Sequence, residues 1–141
     1  MKRVKSVLLD NEAVQSLLDV RHAKHRRVLA AVEAVLARGR RHGGSVRLVV
    51  PTTVRVEAGW DRRPASAAIV NRLRIVDAPL DRIAADRAAD IRTMLRVSVA
   101  NAHLAAVLQE SDGPFAVLTS DVEDVRSIVG HLGVEVNVVA L

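Results

Sequence analysis

Several short runs in this chain are apolar with few interruptions, and that feature constrains its fold most. Residues 4–9, 46–50 and 115–118 are Val, Leu, Ala or Phe except at Lys5, Ser6 and Arg47. A strand with one wet face alternates apolar and polar residues, whereas a continuous run belongs to a strand covered on both faces. Helical periodicity fills the segments between: 12–19, 25–38, a turn or two around Val54–Ala58, 64–73, 81–95, the stretch "VSVANAHLAAV" from 97, and 122–132. Residues 74–76 and 134–139 complete a set of five strands. Strands alternating with helices predict an α/β fold built on a parallel sheet. No repeat or linker divides the 141 residues, so residues 1–141 are read as one domain.

In open parallel sheets, ligands bind beyond the carboxyl ends of the strands. Two acids fall there: Asp10 ends the first strand in "SVLLDNE", and Asp121 follows the fourth in "FAVLTSDVED". Glu57 is expected on the core-facing side of the helix after strand two. Asn101 heads the apolar stripe Leu104, Ala105 and Leu108, and Asp124 stands one turn beyond Asp121. Each acid has an ordinary structural reading: an Asp after a strand caps the next helix, and Asp124 is a surface acid. Gathered at one sheet edge, the carboxylates would repel one another unless a cation sat among them. Oxygen ligands without Cys or clustered His suit Mg²⁺ or Mn²⁺.

Composition narrows the partner. Eighteen of the 21 basic residues are Arg, the net charge is +5 and the pI is near 10.9. Arg is the better bidentate phosphate ligand, so a polyanion is a plausible partner, although a GC-rich genome produces the same bias. One Trp, one Phe and no Tyr argue against nucleic-acid binding by base stacking on aromatic platforms. With no Cys, disulfides, thiolate zinc sites and Cys nucleophiles are excluded. The first apolar run is too short for a signal peptide or a membrane span, so a cytoplasmic protein with no membrane partner is expected.

The segments "LLDNEAV", "VPTTVRVEAGW", "SVANAHLAAV" and "AVLTSDVEDV" together resemble the PIN domains, and within them the VapC-like toxins of toxin–antitoxin systems. That resemblance implies a three-layer α/β/α fold with five parallel strands in the order 3-2-1-4-5, which sets strands one and four side by side. It implies an Mg²⁺- or Mn²⁺-dependent endoribonuclease that acts on RNA, forms a homodimer and is neutralised by a cognate antitoxin. Position by position, Asp10 matches the first acid, Glu57 the second and Asp121 the fourth, with Asp124 auxiliary. Thr119 and Ser120 match the small hydroxyl residues of that loop. The third acid is absent: Asn101 in "ANAH" stands where the pattern has Asp. Asn still offers a carbonyl oxygen, but it brings no charge and cannot act as a base. Asn101 is therefore an introduced change, a pseudoenzyme feature or a tolerated variant.

Arg55, Arg62, Arg63 and Arg126 flank the acidic segments and are the candidate phosphate contacts, with Arg55 and Arg126 first. The five His residues show no metal-ligand spacing. His22 and His25 read as a solvated helix start or an RNA-facing patch, and His103 as pointing off the core stripe. Trp60 is expected in the core or at a protein interface. The alternative function is a non-catalytic PIN-fold protein that binds RNA or a partner. A response-regulator receiver would need a Lys ending strand five, yet all lysines lie in the first 24 residues.

Overall fold

The computed structural model describes residues 4–141. Its centre is a sheet of β1 (Ser6–Leu9), β2 (Arg47–Pro51), β3 (Val76–Ala78), β4 (Phe115–Thr119) and β5 (Val136–Ala140). All neighbours pair in parallel, in the order β3-β2-β1-β4-β5. A receiver domain, with the order 2-1-3-4-5, is a different fold.

The apolar runs explain this arrangement. Every residue of the central strands β1 and β4 is buried, whereas the edge strands β3 and β5 are at most half-buried. Successive side chains point to opposite faces of a strand. Val7, Leu9, Leu48, Val50, Ala116 and Leu118 accordingly pack on one face. There they meet α1 (Asn11–Leu18), α2 (His25–Arg41) and α3 (Thr52–Ala58), with the short α4 (Ala68–Asn71) beside them. Leu8, Val49 and Val117 pack on the other, against α5 (Arg82–Met94), α6 (Val99–Glu110) and α7 (Val122–Leu132). The result is three layers, α/β/α.

Several local expectations shift. The α6 segment is buried from Ala100 to Leu108 on all sides, not along one stripe. Its small Ala residues let it lie between the sheet, α5 and α7, which is how a helix that is apolar all round is accommodated. Helix α5 buries Ala84, Ala88 and Ile91, whereas Ile83, which helical spacing equally admits to the inward face, is 55% exposed. The third strand runs two residues later than expected, because Arg74 takes a left-handed turn (φ 54°) before the chain becomes extended. Neither Thr52 nor Thr53 caps α3. The Thr52 hydroxyl instead accepts the Leu80 amide at 3.1 Å, tying the start of α3 to the loop after β3. No helix among the described residues is long and apolar enough to cross a membrane.

Leu104 is sealed in the second core, so Leu104→Ala should cost about 2–5 kcal/mol of unfolding free energy in urea. Ile83→Ala should cost under about 1 kcal/mol, because its side chain is already in water. Equal losses would contradict the packing described.

Candidate functional site

The parallel pairing of β1 with β4 sets Leu9 opposite Leu118 and places Asp10 beside Thr119. The Asp10 amide donates to the Leu118 carbonyl at 3.2 Å, extending the ladder by one bond past the strand. The Asp10 side chain, only 3% exposed, then joins two parts of the chain. Oδ1 accepts the Ala13 amide at 3.0 Å and caps α1, while Oδ2 accepts the Ser120 amide at 3.1 Å in the loop after β4. The ordinary capping role of Asp10 is therefore real.

Asp121 behaves differently. It occupies the N-cap position of α7, but its side chain makes no capping bond and is exposed. Its amide donates to the Thr119 hydroxyl at 2.8 Å, which fixes the turn. Thr119 is sealed, and its hydroxyl shapes the loop. Ser120 is exposed.

Burial pushes the Asp10 carboxyl up from its ordinary value of 3.8. Hydrogen bonds from Thr119, Ala13 and Ser120 pull it down, and the nearby charge of Asp121 raises it again. The Asp121 charge is the smallest of these influences, and both residues stand at the carboxyl edge of the sheet, Asp10 bonded to the amide of Ser120 next to Asp121.

Asn101 is 5% exposed in the first turn of α6, where its amide donates to the Ser98 hydroxyl at 3.0 Å. Its carboxamide makes no hydrogen bond among the described residues. Glu57 is exposed on α3, which corrects the expected core-facing placement, because Val54 is the residue of that helix aimed at the core. Asp124 is exposed on the first turn of α7. Among the described residues, no three Asp, Glu or His side chains form a group able to hold an ion. The carboxylates the structure brings together are Asp10 and Asp121.

The flanking arginines divide. Arg55 and Arg62 grip Asp77 from two sides, at 2.6 and 2.8 Å, and both lie over the Trp60 ring, at 5.3 and 4.1 Å from its centroid. Arg55 also donates to the Trp60 carbonyl, and Arg62 to that of Ile75. These contacts fix buried Trp60 against the sheet, so Arg55 is a fastening and not the free phosphate contact the sequence suggested. Arg63 folds back onto Asp61 and holds that carboxyl down at about 2. Arg126, exposed on α7, makes no ion pair among the described residues.

Two features escape the sequence reading. Glu12, in the first turn of α1, takes His22 Nε2 at 3.3 Å and Lys24 Nζ at 3.4 Å, so the loop before α2 is tethered next to Asp10. His22 Nδ1 accepts the Lys24 amide, and His25 Nδ1 lies 2.8 Å from the Ser16 carbonyl. Both rings thus have structural partners. His103, expected off the core, is sealed, with Nδ1 2.8 Å from the Thr53 hydroxyl. Burial lowers its pKa, against the Pro79 carbonyl and Asp81, so a neutral imidazole joins α6 to α3. No local pattern announces these contacts, which span ten and fifty residues.

The fold and the Asp10–Asp121 pair can now be compared with known proteins. No family model matches the sequence, and no curated protein matches it significantly. Solved structures do match. One is the VapBC2 complex of Rickettsia felis bound to a promoter DNA fragment, at a TM-score of 0.60 and 8% identity over 95% of this chain and 98% of that one. The fold is PIN-like. A second match is FitAcB of Neisseria gonorrhoeae, at a TM-score of 0.55 and 16% identity over 93% of this chain and 96% of that one. Likeness at such identities extends to the fold, including the strand order that sets β1 beside β4.

The raised Asp10 carboxyl has a consequence for stability. The folded state holds its proton more tightly than the unfolded chain, so the stability it contributes is full below 3.8. That contribution is lost as the pH rises through the raised folded value. The unfolding free energy of the wild type minus that of Asp10→Asn should therefore fall between pH 3.5 and pH 7, as read by urea titration at each pH. A difference that grows with pH would contradict the assignment.

Proposed function

We propose that this chain is the toxin of a toxin–antitoxin pair, a divalent-metal-dependent endoribonuclease weakened by Asn101. One observation carries the reading: a buried carboxylate and an open one, Asp10 and Asp121, meet at the carboxyl edge of adjacent parallel strands in a PIN-like sheet. The similarity to chains from two toxin–antitoxin complexes supports the biological class and an antitoxin partner.

The residues present fit a hydrated ion better than a fully caged one. Asp10 accepts two backbone amides and the Thr119 hydroxyl, which leaves limited capacity on a carboxylate with about four acceptor sites. Mg²⁺ keeps several waters and needs only one or two carboxylates. In this reading Asp10 and Asp121 hold Mg²⁺ or Mn²⁺, with Asn101 supplying a neutral oxygen and Glu57 and Asp124 approaching from the rim. The ion would activate water and stabilise the leaving oxygen of a phosphodiester. The protein's own contribution is the rigid Thr119–Asp121 turn, which fixes the carboxylates, and Arg126, which draws in the RNA phosphates. Asn101 cannot accept a proton from the attacking water, and it removes one negative charge from the ligand set. A cytoplasmic homodimer completes the proposal.

The second reading, a non-catalytic PIN-fold protein that binds RNA or a partner, is favoured by Asn101 itself. RNA cleavage with Mn²⁺ or Mg²⁺ separates the two. Asn101→Asp should cleave at least about tenfold faster than the wild type, a gain that 1.4 kcal/mol of transition-state stabilisation provides. EDTA, Asp10→Asn or Asp121→Asn should abolish that cleavage. A folded Asn101→Asp protein that binds Mn²⁺ and leaves RNA intact would overturn the enzyme reading.

A further inference from the structure

The acids of this chain are unevenly placed. No Asp or Glu occurs between Glu33 and Glu57, nor between Asp61 and Asp77. These two acid-free stretches carry Arg38, Arg40, Arg41 and Arg47, and Arg72 and Arg74. The fold brings both to one place, at the amino-terminal edge of the sheet, opposite the Asp10–Asp121 pair.

The convergence follows from register and packing. Val49 pairs with Val76, so Arg74 approaches β3 at the level of Arg47 on β2. Arg47 donates its amide to the Lys5 carbonyl at 3.0 Å, which sets Lys5 beside it at the start of β1. Gly39 lies so close to Val46 that an added Cβ would stand 2.7 Å from Val46 Cγ2. The last turn of α2 is therefore pressed against the start of β2, and Arg38 and Arg40 flank that contact. Arg38, Arg40, Arg41, Arg47, Arg72, Arg74 and Lys5 are all exposed, and none makes an ion pair among the described residues.

We propose that the amino-terminal edge of β3, β2 and β1, with the last turn of α2, is a second contact surface for the phosphate backbone of single-stranded RNA. Neighbouring strands lie about 4.8 Å apart, so Arg74 and Arg47 stand level on adjacent strands, while Lys5, one residue before the Ser6–Arg47 pair, falls on the face covered by α2; cations thus border this edge on both sides. Arg can grip each phosphate with two hydrogen bonds. The patch contains no aromatic residue on which a base could stack, so contact is with the backbone and is independent of sequence. The edge lies across the sheet from the carboxylates, so RNA held there is gripped away from the candidate site. The inference rests on the RNA reading only for its choice of nucleic acid.

The test is fluorescence anisotropy with a short labelled oligouridine in EDTA, where cleavage cannot intervene, over a series of salt concentrations. Each phosphate contact contributes about −0.7 to the log–log slope of affinity against salt for single strands. Arg41→Gln/Arg47→Gln should weaken binding and make the slope shallower by roughly 1.4, two contacts' worth. Arg82→Gln/Arg87→Gln, which removes the same net charge from α5, should leave the slope unchanged. Circular dichroism and thermal midpoints confirm that each variant folds. Unchanged binding in the first variant overturns the proposal, as does an equal loss in the second. So does wild-type binding to anionic phospholipid vesicles without binding to RNA. Failure here leaves the cleavage reading standing, and an inactive Asn101→Asp enzyme leaves this binding standing.

Discussion

The carboxylate of Asp10 holds the structure together at the point where it matters for chemistry. One oxygen starts α1, and the other holds the loop after β4, 110 residues further along the chain. Burying an ionised carboxylate is costly unless hydrogen bonds compensate. Here three donors compensate in part, and burial still holds the carboxyl above its ordinary value. The residue that closes the sheet edge thus carries a carboxyl whose charge is only partly compensated. The structural and the chemical readings of Asp10 are one arrangement seen twice.

The rest of the molecule can be understood as support for that edge. The apolar strands set β1 beside β4 between two layers of helices. On one flank, Arg55, Arg62 and Asp77 clamp Trp60. On another, His103 and Thr53 tie α6 to α3. Glu12 would add a further negative charge near Asp10, but Lys24 offsets it. Asp10 and Asp121 stand at one end of the sheet; at the other are arginines that make no ion pair among the described residues, with Asp112 and Glu135 near Lys5.

Much of this was legible in the sequence because it depends on strand ends. Asp10 and Asp121 follow apolar runs, and a parallel sheet in the order 3-2-1-4-5 makes them neighbours. The strand order itself came from resemblance, since periodicity does not fix which strands touch. Side-chain orientation was less legible. Helical spacing admits both Ile83 and Ala84 as inward, and only the packing of α5 on α6 selects Ala84. The Asn101 helix read as one apolar stripe because its Ala residues are too small to signal burial on the remaining sides. Arg55 looked like a phosphate ligand until its partner appeared 22 residues away on β3. Glu57 faces water, which a pattern of Val54 and Ala58 on the same helix did not reveal.

The central claim is that Asp10 is a buried carboxylate held in the field of Asp121. Carbon-13 NMR of the Asp10 side-chain carboxyl, followed through a pH titration without divalent metal, tests this most directly. It should titrate above 3.8 in the wild type, move downward in Asp121→Asn, and move downward on addition of Mg²⁺. A carboxyl that titrates at or below 3.8, unmoved by either change, would contradict the account.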